Sequence, residues 1–341
     1  MAAHSIHDIH LYGDDFVSAI AEEASGETAL RHFARAIVHQ GFAPSQGYDA
    51  IVASAVAKLR DWGYERVETL SFPSDGDSYW WACRTEPAWD VDEAELTMLQ
   101  PHQRTLARFS DKTMSLGRFS QPTDIQAPLI DVRKGTAAED YAGLNVKDKI
   151  VLAWGTPPSV FQHAVWERGA LGVIWYRMAG KDSTPDATAL VYAIPWKSLD
   201  GTPLTFCFSL SYAAAQDLIA LIDSGQEVRL RAMVRSQIRP SRLNIATGVL
   251  PGSEYPDEEV WFLGHCDHRN TGGINNLTGF SSSLEIARVL SKLVHNGTLP
   301  RPKRTIRFFW GPEHHGTIAY MHRYPERVAH VFAVINQDMV G

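Results

Sequence analysis

Three bulky, mainly apolar runs in the last quarter of the chain limit what it can fold into more than any other feature. They are Glu259-Val260-Trp261-Phe262-Leu263, Thr305-Ile306-Arg307-Phe308-Phe309 and Val331-Phe332-Ala333-Val334-Ile335. Bulky and without polar alternation, they read as strands buried on both faces, the pattern of a parallel sheet covered by helices. Each is followed at once by residues suited to ligation or proton transfer: Gly264-His265-Cys266-Asp267, Gly311-Pro312-Glu313-His314 and Asn336-Gln337-Asp338-Met339. Ligands of open α/β sheets gather beyond the carboxyl ends of the strands. His265, Asp267, Glu313, His314 and Asp338 are therefore expected to converge, although they are scattered in sequence.

At 341 residues the chain is long for one core, so two domains are expected. Hydrophobic residues at 45% and charged ones at 21% describe a soluble globular protein. A formal charge of −7 and the lack of a Lys/Arg run argue against nucleic acid as partner. No stretch reaches the length of a membrane span, and the first cation, Arg31, comes too late for a secretory leader, so a cytoplasmic location is expected. Cys83, Cys207 and Cys266 are too few for a disulfide framework.

After a leader bearing His4, His7 and His10, Asp14 to Ala24, Thr28 to Gln40 and Tyr48 to Trp62 read as amphipathic helices. The second is expected to bury Leu30, Phe33, Ala34 and Ile37. Gly63 ends the third, and Arg66 to Leu70 alternates as a strand. From about residue 120 to 239, short strand-like pieces are punctuated by Gly and Pro. Within them a strand from Leu144 to Leu152, a helix from Val160 to Arg168 and a strand from Gly169 to Tyr176 form a strand-helix-strand unit. Asn244 to Leu250 then reads as a strand, and Gly279 to Val294 as a helix with Leu284, Ala287, Leu290 and Val294 on one face. The expected organisation is an α/β domain with a mixed, largely parallel sheet in parts 1–119 and 240–341, interrupted by a small β-rich α/β insert at 120–239.

The ordered set His265-Cys266-Asp267, Gly272-Gly273-Ile274-Asn275-Asn276-Leu277-Thr278-Gly279, Gly311-Pro312-Glu313-His314 and Asn336-Gln337-Asp338-Met339-Val340-Gly341 resembles the co-catalytic zinc aminopeptidases of the M28 type. The segments Gly143 to Val151 and Gly169 to Ile174 are similar to a protease-associated insert. The resemblance implies zinc as cofactor, a short peptide or aminoacyl substrate, His265 and Asp338 as metal ligands, Asp267 orienting the histidine, and Glu313 as general base.

Two positions depart from that family. Asn275 stands where the family has the aspartate that bridges two zinc ions, and His314 stands where it has a glutamate ligand of the second. A neutral amide is a poor bridge, so one ion is expected, held by a rearranged set of His265, His314 and Asp338 with an open fourth position, and Asn275 is kept as a further candidate metal residue. Glu285 is expected to pair with Arg288 or Lys292 in solvent. The family's late histidine has no counterpart before Gly341, which leaves open a fragment or a shortened product. His315, His322 and His330 read as surface residues, Cys266 as a small buried hydrophobe rather than a nucleophile, and Trp80 and Trp81 as core. The Asn276-Leu277-Thr278 and Asn296-Gly297-Thr298 sequons carry no weight without secretion. Three functions stay open: an aminopeptidase-like hydrolase, a catalytically silent relative that binds, and a single-zinc acyl transferase or cyclase. A homo-oligomer is compatible with each.

Overall fold

The computed structural model describes residues 13–178, 184–189, 191, 193–198, 200–268 and 273–340. The leader histidines and Gly272 lie outside them. The chain divides into two units, one running to Glu86 and resuming at Ser241, the other formed by Pro87–Pro240.

Helices α1 (Asp14–Glu23), α2 (Gly26–Ala36) and α3 (Gln46–Asp61) open the first unit. Ser25 and Ser45 start α2 and α3 by accepting the backbone amides of Thr28 and Tyr48 at 3.2 and 3.1 Å, which satisfies donors that the first turn leaves unpaired. One face of α3 buries Tyr48, Ile51, Val52, Ala55 and Leu59. The face expected for α2 is half right: Phe33 and Ile37 pack against the core, but Leu30 is 64% exposed, Ala34 is exposed, and His32 and Ala36 are the buried residues. Its rotation is set at the N-terminus, where the Ser25 amide donates to Glu285 at 2.8 Å and ties α2 to the later helix Gly279–His295. Strand β1 (Glu65–Ser74) follows, then the hairpin of β2 (Tyr79–Trp80) and β3 (Cys83–Arg84).

The second unit contains β4 (Ala88–Gln100), β5 (Arg104–Arg108), β6 (Thr123–Asp131), β7 (Ile150–Ala153), α4 (Pro157–Val160), β8 (Gly172–Tyr176), β9 (Cys207–Leu210), α5 (Tyr212–Asp223) and β10 (Arg229–Arg239). Its seven strands run in the order β5-β4-β10-β6-β7-β8-β9, antiparallel to β6 and parallel from there on. The boundary expected at residue 120 falls instead at Pro87, because β4 pairs with β10 from Ala88 to Gln100 and cannot be parted from it. Leu144 to Lys149 is turn rather than strand, and β7 begins at Ile150.

The first unit resumes with β11 (Ser241–Leu250), β12 (Tyr255–His265), α6 (Gly279–His295), β13 (Arg304–Gly311), α7 (His315–Arg323), α8 (Pro325–Val328) and β14 (Val331–Asn336). The sheet order is β1-β11-β13-β12-β14; the first two pairings are antiparallel and the last two parallel, so the sheet is evenly mixed rather than largely parallel. One face packs Phe308 and Trp310 against α3 and α6, and the other packs Trp261 and Phe309 against Ala319 and Tyr320 of α7. That double coverage is what the bulky, mainly apolar runs of β12 and β13 require. The third run departs from it. β14 is an edge strand with Phe332, Val334 and Ile335 at 62%, 53% and 44% exposure, since among the described residues no element covers it.

Candidate metal centre

Parallel pairing brings three strand ends level: His265 stands opposite Gly311, Leu263 opposite Asn336, and the Gln337 amide extends the ladder to the Leu263 carbonyl at 2.9 Å. The residues that follow border a cavity of about 320 Å³, with His265, Glu313, His314 and Asp338 in its lining. His265 is 9% exposed, and its Nδ1 lies 2.9 Å from Oδ1 of buried Asp267. A carboxylate can only accept, so Nδ1 carries a hydrogen, and in the neutral ring Nε2 keeps its lone pair. Burial lowers the basicity of this imidazole, but the hydrogen bond and charge of Asp267, with Asp338 and Glu313 behind it, outweigh burial and leave its pKa raised. Asp267 Oδ1 also accepts the Glu313 amide at 2.8 Å. One carboxylate thus positions both the histidine and the glutamate.

His265 Nε2 is buried, has no hydrogen-bond partner among the described residues, and lies 3.6 Å from Asp338 Oδ1. Two ligands of one tetrahedral zinc, each about 2.1 Å from it, stand about 3.4 Å apart. The pair therefore fits a single ion.

The other two expected ligands are placed differently. The His314 side chain is 80% exposed, with Nε2 3.3 Å from Glu313 Oε1, and the residue sits at φ 52° just before α7. That backbone turns its imidazole to solvent while Glu313, at 23% exposure, stays in the cavity. Asn275 is exposed and does not line the cavity. Among the described residues no three His, Cys, Asp or Glu side chains converge on one point, so the expected triad is not assembled.

One residue at the centre was not singled out from sequence. Asn276 is fully buried. Its Nδ2 donates to the carbonyls of His265 and Gln337 at 3.2 and 2.9 Å, and its Oδ1 accepts the amides of Gly279 and Met339 at 3.1 and 2.9 Å. Two carbonyls on one side and two amides on the other fix the amide's orientation. Asn276 thereby stitches the end of β12 to the loop that carries Asp338. Its spacing from Gly279 is that of a helix cap, the one signal visible in sequence.

Other expectations resolve individually. Cys266 is fully buried, and burial pushes its thiol well above the ordinary range. His322 and His330 are exposed. Trp80 packs edge-on against Phe72, whereas Trp81 is 58% exposed rather than core. Glu285 does pair with Arg288, at 2.8 and 2.9 Å, but at 6% exposure rather than in solvent. Asn276 has no exposure, so its sequon is inaccessible in the folded chain.

Residues 244–341 match the model of peptidase family M28. Over 96 residues the chain is 35% identical to aminopeptidase NAALADL1 of Rattus norvegicus and of Mus musculus, a stretch covering 28% of this chain. It spans 12% of the length of those curated relatives. Among solved structures the chain is similar to a peptidase M28 precursor from Shewanella amazonensis (TM-score 0.64, 20% identity, 95% of this chain and 74% of that one). It is likewise similar to BSAP, a zinc aminopeptidase from Bacillus subtilis (TM-score 0.58, 19% identity, 92% and 69%). At these identities the two structures establish the fold. No described helix is long and apolar enough to cross a membrane.

Proposed function

We propose that the chain is a metal-dependent, aminopeptidase-like hydrolase acting on short peptides or aminoacyl compounds, with His265 and Asp338 as ligands of one zinc ion and Glu313 as general base. The observation that carries this reading is the approach of His265 Nε2 to Asp338 Oδ1, 3.6 Å apart in a cavity that Glu313 also lines. Bound zinc would lower the pKa of a water and polarise the scissile carbonyl. Asp267 holds His265 in the tautomer that presents Nε2, and fixes Glu313 through its backbone amide. From there the Glu313 carboxylate can take a proton from water and pass it to the departing amine. The family match over residues 244–341 supports the metallopeptidase class.

The test is zinc content together with hydrolysis of aminoacyl-anilide substrates by the wild type and by Glu313→Gln. About one zinc per chain and a rate loss of roughly 10²–10⁴-fold with zinc retained are expected. No zinc, or undiminished hydrolysis by Glu313→Gln, refutes the proposal.

A second reading, a relative that binds peptide without turnover, is favoured by the exposure of Asn275 and His314, which leaves two protein ligands in place. Peptide binding without product release in excess zinc or cobalt is its signature. Release of N-terminal residues excludes it, and incorporation of oxygen from labelled water separates hydrolysis from acyl transfer or cyclisation.

A further inference from the structure

Away from the strand ends, α2, α3 and α6 enclose a second cavity, of about 260 Å³. Its polar lining is His32, Arg35, His39, Ser54 and Lys58, set against an apolar floor that includes Phe280 and Leu284. Among the described residues no carboxylate lines it. His32 is 8% exposed, and among the described residues neither of its ring nitrogens has a hydrogen-bond partner. Buried polar groups in folded proteins are almost always paired, so two orphaned nitrogens on a residue that lines the cavity call for a polar occupant.

The surrounding charges select its sign. Lys58 and Arg35 repel a metal cation, and two histidines without a carboxylate make a poor ligand set for one. An apolar ligand would leave the His32 nitrogens unpaired. An oxyanion suits these groups together: the Lys58 ammonium, already held by Ser54 Oγ at 2.7 Å, and the Arg35 guanidinium donate, and His32 donates from both nitrogens once its ring takes up a proton. Glu285, the nearby carboxylate, is occupied by Arg288 and the Ser25 amide. We propose that this cavity binds a compact oxyanion, a phosphate group free or as a small monoester, between α2, α3 and α6.

Proton linkage follows from the same surroundings. Burial first, then the charge of Lys58, with Arg35 and Arg288 acting the same way and Glu285 opposing, lowers His32 to about 4. A dianion beside the ring offsets these effects and draws a proton onto His32; net uptake is read at about pH 8, where free phosphate is already the dianion and releases no proton on binding. The volume corresponds to about nine water molecules, more than phosphate alone displaces.

The test is calorimetric titration with inorganic phosphate in two buffers of different ionisation enthalpy. Wild type should bind with net proton uptake. Lys58→Met, at a half-buried position that tolerates change, should bind at least tenfold more weakly. Arg31→Gln, which removes an exposed α2 cation paired with Glu27, should bind as wild type does. His32→Leu should abolish the proton uptake. Asp338→Asn should leave affinity unchanged, which separates this site from the proposed zinc site and keeps the two proposals independent. No binding at millimolar phosphate, equal affinity in Lys58→Met, or loss of binding in Asp338→Asn overturns the inference.

Discussion

Replacing Asn276 by alanine is the most demanding test of how the site is held together. The substitution removes four hydrogen bonds of 2.9 to 3.2 Å made by one buried amide. At about 1 kcal/mol net for each, the loss is roughly 4 kcal/mol. For a folding unit of this size, that is a fall in melting temperature of roughly 8–16 °C. Urea unfolding followed by tryptophan fluorescence reports the change, because Trp310 is fully buried in the same core and its Nε1 donates to Ser283 at 3.0 Å. The measurement belongs in chelator, so that lost metal does not contribute. A separate zinc titration should show affinity falling about 10–100-fold, since the Met339 amide that anchors the Asp338 loop is released. Asn276→Asp sharpens the case. It keeps an acceptor for Gly279 and Met339 but turns a carboxylate oxygen toward the carbonyls of His265 and Gln337. Its folded-state pKa is therefore raised; stability is full below the unfolded value of about 3.9 and is lost as pH rises through the folded value. At pH 7 it should be less stable than Asn276→Ala, with the gap closing in acid. A loss under about 1 kcal/mol in Asn276→Ala, with zinc affinity unchanged, would refute the stitching role.

Three further outcomes follow from buried groups in the same unit. Gly279→Ala should destabilise by about 1–3 kcal/mol in urea unfolding despite alanine's better helix propensity, because the added methyl meets Asn276 Oδ1 and sits 2.5 Å from the Gln337 carbonyl. Glu259→Gln should cost about 3 kcal/mol at pH 7, since Glu259 accepts Arg307 twice at 2.7 Å and Trp261 Nε1 at 2.6 Å, and the two charged side chains are only 12% and 8% exposed. Burial alone would raise the Glu259 pKa, but Arg307 outweighs it and the net shift is down, so this contribution is present above the ordinary glutamate range and fades as pH falls through the folded value. His32, lowered to about 4 chiefly by burial, binds a proton in the unfolded chain before the folded one. Wild type should thus lose up to about 3 kcal/mol between pH 6.5 and 4, a loss absent in His32→Leu and visible in midpoints measured across that range.

How much could be read in advance depended on whether a residue's surroundings lie near it in sequence. The runs at 259–263 and 305–309 announced β12 and β13, because double burial favours bulky apolar residues, and the two charges within them, Glu259 and Arg307, pair with each other. The same pattern at 331–335 marked a strand correctly and its burial wrongly: periodicity reports what a strand could bury, not whether a neighbour is present to cover it. β4 escaped notice because Asp90, Asp92, Glu93 and Glu95 break its apolar pattern, and its partner β10 is more than a hundred residues away. His265, Asp267, Glu313 and Asp338 follow strands directly, so topology alone brings them together. His314 differs by one position from Glu313, yet a positive φ sends its imidazole outward, and no residue-type argument contains that angle. The burial of His32 depends on how α2 meets a helix far along the chain, where the Ser25 amide donates to Glu285, 260 residues on.

Charge gives the proposed centre its stoichiometry. The negative field of Asp267, Asp338 and Glu313 at His265 is strong enough to outweigh the cost of burying a protonated imidazole. A field that favours one extra positive charge at Nε2 favours a cation in the same place, and more strongly for a dication. Three carboxylates over-compensate one zinc ion but fall short of two, whose mutual repulsion at about 3.5–4 Å would have only Asp338 between them as a charged ligand. A bridging carboxylate would change that balance, and the residue at its place, Asn275, is neutral and exposed. The lone chelating pair and the field around it therefore lead to the same number, and a measured content of two zinc ions per chain would contradict both.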